Sequence, residues 1–282
     1  MSRSFIRIGI GAVASILVGC ASEQRAPEPQ SVPAAPVAPP VVEIIATDFA
    51  FQVPDTIPGG WVTLRIRNTG QELHHGALYR LDQGKTVADV LKLSGPQMPE
   101  WMVAVGGPSG ANPGATLETT VQLAPGSYLL LCEIPSPDGK LHLMKGMMRP
   151  MTVVAPTTEA AAPSSDIEVR LSDFSFEFSK ELVAGKHTFR VETAPGQAHE
   201  VVIARLLPGK KAEDLLAWVE NMAGPPPIEG VVGGTTALAA GTTNVFQAEL
   251  VPGDYAVICF IPDVKDGKAH AHHGMMKTVK IS

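Results

Sequence analysis

The feature that most constrains this 282-residue chain is that most of it is written twice. A first copy runs over residues 41–154 and a second over 166–282. Asp48-Phe49-Ala50-Phe51 returns as Asp173-Phe174-Ser175-Phe176, and Gly70-Gln71 as Gly196-Gln197. Gly106-Gly107 returns as Gly233-Gly234, and Leu123-Ala124-Pro125-Gly126-Ser127-Tyr128 as Leu250-Val251-Pro252-Gly253-Asp254-Tyr255. Solenoid repeats are of roughly 20–50 residues, so a unit of this length predicts duplicated domains rather than an array.

Between the copies, residues 155–165 (APTTEAAAPSS) have the composition of a linker. Residues 21–40 are rich in Pro, Ala, Gln and Glu and cannot bury a core, so residues 20–40 read as a tether. The N-terminus is a targeting segment. Arg3 and Arg7 precede an apolar stretch, Ile8 to Val18, that is too short for a membrane span. It ends in Leu17-Val18-Gly19-Cys20, which resembles the lipobox of bacterial lipoproteins. That resemblance implies removal of residues 1–19, acylation of Cys20, and, from Ala21 after it, anchoring in an outer membrane facing the periplasm. The lipid would be the only membrane attachment. Net charge is −6 and no basic block stands out, so nucleic acid is not expected as a partner.

Within each copy the apolar period is two. Val62-Thr63-Leu64-Arg65-Ile66-Arg67 alternates as a half-buried antiparallel strand does, and so do Phe189 to Glu192. Pro-Gly at 125–126 and at 252–253 marks a turn into a further strand, Tyr128 to Cys132 and Tyr255 to Cys259. One helix interrupts each copy, Thr86 to Leu93 in the first and Ala212 to Ala223 in the second; the latter carries Leu215, Leu216, Val219 and Met222 on one face. The fold class is therefore all-β, two tandem β-sandwich domains each with a short inserted helix.

Of three cysteines, Cys20 is assigned to lipid and the others close equivalent strands. Each is followed by a loop, a His, and a Met five residues later: Cys132, His142, Met147 and Cys259, His270, Met275. Upstream, His74 and His199 open apolar strands. Aligning Arg80-Leu81 with Arg205-Leu206 sets His74 on His199 and His75 on Glu200, so His75 is expected to face solvent. Two imidazoles and a thiolate in a plane, with a weak axial thioether, suit a copper ion that changes oxidation state. Read alone, Cys132 and Cys259 also admit an inter-domain disulfide or two buried thiols. Met144, Met148 and Met276 compete for the axial place. His187, His272, His273, Trp61, Trp101 and Trp218 read as solvated or structural.

The ligand set, the Tyr-x-x-x-Cys strand and the His-x-x-x-Gly-Met end resemble the cupredoxins over nearly all of both copies. The resemblance implies Greek-key sandwiches and one type 1 copper per domain, two per chain. The metal ligands would be His74, Cys132, His142, Met147, His199, Cys259, His270 and Met275. One departure stands out: nine residues separate Cys132 from His142 and ten separate Cys259 from His270. The small blue proteins have shorter gaps; copper nitrite reductases are closer. Asp138-Gly139 and Asp266-Gly267 would turn the longer loop. In the family the C-terminal His reaches the surface in an apolar patch, which Leu141, Leu143 and Met144 would form around His142. Around His270 stand Ala269, Ala271, His272 and His273, smaller and able to gain charge near neutral pH.

The expected function is single-electron transfer at the cell envelope with redox proteins as partners, and no enzymatic activity. Only His270-x-His272 has the His-x-His spacing of which a trinuclear cluster needs several. The alternatives are copper binding and delivery, favoured by the Met- and His-rich ends, and a metal-free interaction domain.

Overall fold

In the first half the strands are β1 (Val41–Thr47), β2 (Ala50–Gln52), β3 (Thr56–Pro58), β4 (Gly60–Asn68), β5 (Ala77–Leu81), β6 (Met102–Gly106), β7 (Thr116–Leu123), β8 (Gly126–Leu131) and β9 (Met148–Val154). In the second they are β10 (Ile167–Ser172), β11 (Ser175–Phe178), β12 (Gly185–Thr193), β13 (His199–Leu206), β14 (Ile228–Leu238), β15 (Thr243–Leu250), β16 (Gly253–Ile258) and β17 (Met276–Ile281). The structure is a computed structural model describing residues 37–82, 84–93 and 98–282, with residues 1, 4, 5, 9 and 11. Cys20, most of the leader and most of the tether lie outside the described residues. Among the described residues no helix is long and apolar enough to cross a membrane.

Each half is a two-layer sandwich. β7-β4-β1-β2 face β6-β5-β8-β9-β3 in the first, and β15-β12-β10-β11 face β14-β13-β16-β17 in the second. Each layer contributes alternate apolar residues to a core. Ile44, Leu64, Ile66, Val121, Leu130 and Val153 fill the first, and Val169, Phe189, Val191, Ile203, Phe246 and Val257 the second. The inserted helices are short. α1 is Val87–Val90 and α2 is Ala212–Asn221, each begun by a backbone N–H donating to an Asp carboxylate, Thr86 to Asp89 and Lys211 to Asp214. α2 ends earlier than expected because Met222 turns left-handed at φ 49°. Val90, and Ala212, Leu215 and Leu216, cover the outer faces of β5–β8 and β13–β16.

The halves are joined edge to edge, so each layer runs through both. In one, β7 pairs antiparallel with β15, Thr119 opposite Phe246. In the other, β6 meets β14 at Val105 and Leu238, and Pro108 bridges Thr235. Thr119 and Phe246 are equivalent positions of the repeat, and so are Pro108 and Thr235. The same surface of each half therefore meets its own counterpart, as in an isologous two-fold contact. The repeated Gly-Gly is explained here. A Cβ on Gly107 would lie 2.1 Å from the Gly76 carbonyl oxygen, and one on Gly234 would lie 2.1 Å from that of Val201.

Candidate metal centres

The two centres sit at the ends of their sandwiches where β5 and β13 begin and β8 and β16 finish. The Cys loop is closed identically in both. The Cys132 N–H donates to the Met147 carbonyl, Leu143 N–H to the Cys132 carbonyl and Met147 N–H to the His142 carbonyl, at 3.2, 2.8 and 3.0 Å. The Cys259, Ala271 and Met275 amides repeat the pattern at 3.0, 3.0 and 3.1 Å. The extra loop length is taken up by the expected turn, where Lys140 and Lys268 amides donate to Asp138 and Asp266 side chains. Cys132 and Cys259 are both buried and free, so the disulfide alternative is set aside.

His74, Cys132 and His142 bring three donor atoms within 4.8 Å of one another, and His199, Cys259 and His270 do the same. In the first, His74 Nδ1 lies 3.1 Å from His142 Nδ1, which lies 3.4 Å from Cys132 Sγ. In the second the distances are 3.0 and 3.6 Å. All six side chains are 0% exposed. Met147 and Met275 are also fully buried, in the clusters that hold Cys132 and Cys259, whereas Met144 is 62% exposed.

The charges around the imidazoles fix their tautomers. His74 Nε2 lies 3.0 Å from Asp48 Oδ1, and His142 Nε2 2.9 Å from Glu72 Oε2. An ionised carboxylate only accepts, so each Nε2 carries the hydrogen and each Nδ1 turns a lone pair inward. Two lone pairs about 3 Å apart beside a thiol repel unless a cation sits between them. A metal about 2.0–2.3 Å from each of two such donors in a trigonal plane would space them about 3.5 Å apart, within about half an ångström of the Nδ1–Nδ1 and Nδ1–Sγ separations above. Burial pushes His74 and His199 down from the usual histidine range and His270 down to about 4, so these rings are neutral and fit for ligation at neutral pH. Burial also pushes the Cys132 thiol up to about 12 and that of Cys259 well above its usual range. Without a cation they remain thiols; ligation would deprotonate them.

Asp48 and Asp173 were not singled out as site residues, although the repeated Asp-Phe-x-Phe carried the signal. Asp48 accepts the Gln71 and Glu72 amides as well as the His74 ring, and Asp173 accepts the Gln197 amide and lies 3.1 Å from His199 Nε2. A Cβ on Gly70 would lie 2.3 Å from Asp48 Oδ1 and 2.9 Å from His74 Nε2, which accounts for glycine there.

Two expectations are corrected. His75 does not face solvent: it points away from His74, but its Nε2 accepts the Glu133 amide at 2.7 Å and burial drives its pKa down to about 3. Glu200 does the same in the second half, its Oε1 accepting the Phe260 amide at 2.8 Å. Nor do His142 and His270 reach the surface. Phe49 and Phe174 stand edge-on to them, and Glu72 and Gln197 cover their Nε2 atoms. Exposed apolar groups do lie beside the first centre, at Leu141 and Met144. His272 and His273 are solvated, as expected.

No protein-family model and no curated protein matches the chain. Solved structures do. Auracyanin from the photosynthetic bacterium Roseiflexus castenholzii is 23% identical over 42% of this chain and 99% of its own, with a TM-score of 0.31. A blue copper oxidase from Nitrosomonas europaea is 15% identical, covering 86% of this chain and 85% of its own at a TM-score of 0.24. A copper nitrite reductase from Nitrosomonas europaea is 15% identical, covering 86% and 93% at 0.25. The expectation of no enzymatic activity is overturned by these last two: structures similar to most of this chain are enzymes, and the missing His-x-His pairs do not exclude catalysis. Sandwich topology and the placement of the His, Cys, His and Met side chains agree in both halves: the chain has a tandem cupredoxin fold.

Proposed function

We propose that the chain is a copper-binding electron-transfer protein with one type 1 centre in each half. His74, Cys132, His142 and Met147 would hold the first ion, and His199, Cys259, His270 and Met275 the second. The observation that carries the reading is the pair of buried Nδ1 lone pairs aimed at one another beside a thiol, formed twice. Copper would supply a one-electron couple there. The chain's own part is to hold the donors still, exclude water and keep the ring hydrogens on Nε2, so that little rearranges when an electron moves. Complete burial of all six donors favours electron transfer over delivery, which needs ligands that a partner can reach. Residues 41–154 and 166–282 would be the two copper-binding domains, tethered through Cys20 to the periplasmic side of an outer membrane and serving redox partners in the envelope. Electron transfer is the step proposed; it is compatible with a catalytic role.

Purified protein loaded under oxidising conditions should hold two coppers per chain and show intense visible thiolate-to-copper charge transfer. Cys132→Ser and Cys259→Ser should each remove one centre's share. Copper near zero, or a full visible band in the double variant, would overturn the reading.

A further inference from the structure

The two centres differ in what stands behind their ligands. Although Gly70-Gln71 aligns with Gly196-Gln197, it is Glu72, two residues before His74, and Gln197, two residues before His199, whose side-chain oxygens lie at the Nε2 atoms of His142 and His270. In the first half both imidazoles face carboxylates, Asp48 at 3.0 Å and Glu72 at 2.9 Å. In the second, His199 faces Asp173 at 3.1 Å, but His270 faces the amide oxygen of Gln197 at 3.4 Å. That amide is locked in orientation. Its oxygen accepts the Val264 N–H at 2.9 Å and its nitrogen donates to Asp263 at 3.0 Å.

Resting on the copper reading above, we infer that the first centre has the lower reduction potential and the second the higher, so that an electron entering the chain settles on the second half. Oxidation adds one positive charge to a centre. A carboxylate in direct contact with a ligand ring stabilises that charge and increases the donor strength of the imidazole, and an amide oxygen does so far less. The first centre has two such contacts and the second has one.

Of the other charges nearby, the buried Glu133 acts on Cys132 and the buried Glu200 on Cys259, one at each centre, so this pair does not set the order. Lys145 lies over the Phe49 ring at 4.5 Å beside the first centre, but its charge is met by Asp138 at 3.1 Å. In the second half Asp263 is a further negative group, where the first half has Ser136. Asp263 attracts the His270 ring more than Asp173 does, yet from beyond the Gln197 amide, where an attraction is weaker than in the direct contact that Glu72 makes with His142. His273, against Phe174 at 4.9 Å and Asp266 at 3.3 Å, stands where the first half has Lys145. In the transfer itself one electron leaves the first centre, which is oxidised, as the second is reduced. No proton or bond changes place.

The test is spectroelectrochemical titration of the copper-loaded full chain. The couples are assigned in Cys132→Ser and Cys259→Ser proteins, each of which keeps one coloured centre. The expected result is an equilibrium constant of at least tenfold in favour of the electron on the second centre, about 59 mV for a one-electron couple. Glu72→Gln should raise the first potential and Gln197→Glu lower the second, and the double variant should close or invert the gap. Two coloured couples within tenfold of each other in the unaltered protein, or the first above the second, overturn this inference and leave the copper reading intact. Absence of coloured copper in the unaltered protein overturns the copper reading itself. Should a variant lose its metal, the unaltered protein alone decides.

Discussion

At pH 8 the Glu200 carboxylate is a charge held where water is scarce. The residue is 7% exposed. Burial, with the Glu133 charge adding to it, raises its pKa from 4.5 to about 7, although the Phe260 amide partly opposes this. Between those values the folded protein binds a proton that the unfolded chain has released. Stability is therefore fully present below about pH 4.5, falls as pH rises, and levels off above about pH 7. At 1.36 kcal/mol per pH unit of separation, the ionised folded state is destabilised by about 3 kcal/mol. Glu200→Gln keeps the acceptor for the Phe260 amide and removes the charge. The variant should gain about 3 kcal/mol at pH 8, roughly 6–12 °C in melting temperature for a chain of this size, and almost nothing at pH 4.5. Thermal unfolding of the copper-free protein at both pH values measures it. A gain that does not change with pH, or no gain at pH 8, would refute the reasoning.

The buried methionines give a second test: Met147→Leu should keep copper and raise the first centre's potential, because a weak donor that favours the oxidised ion is lost, and voltammetry reads the shift. Loss of copper in that variant would point to a different kind of site. The thiols give a third. With Cys132 and Cys259 at 0% exposure and their thiols pushed up by burial, copper-free folded protein should react with a thiol reagent at pH 8 at least tenfold more slowly than unfolded protein. Equal rates would mean that the loops around the centres stand open.

The candidate ligands were legible because they are local: a strand, a turn and a loop carry three of the four in one segment, and the duplication shows which His and Met recur. The groups that tune them were not. Asp48, in the turn between β1 and β2 of one layer, meets His74, which leads into β5 of the other, and Glu72 meets His142 from a different segment. No periodicity reports such contacts. The resemblance put His142 at the surface inside a patch of Leu141, Leu143 and Met144; Leu141 and Met144 are exposed, but Glu72 and Phe49 close over the ring itself. In β7, Thr119 and Thr120 are polar, yet they are 1% and 6% exposed where β7 pairs with β15 of the other half. A strand's pattern records which residues avoid water, and the partner that excludes the water can lie a hundred residues away. For His75, which lies ahead of β5, the place expected to be solvent is taken by the Cys132–Glu133 peptide.

The self-complementary seam between the halves has a consequence for how the two centres can differ. Two separate copies meeting through such a contact would be related by a dyad, and every substitution near one site would appear at the other. Their redox levels would be degenerate, and an electron would have no preferred end. Joining the copies in one chain lifts that restriction. Glu72 does beside His142 what Gln197 does beside His270, Ser136 stands where Asp263 does and Lys145 where His273 does, and the two halves differ at each. The backbone has the symmetry of a dimer, and the side chains around the two centres do not share it.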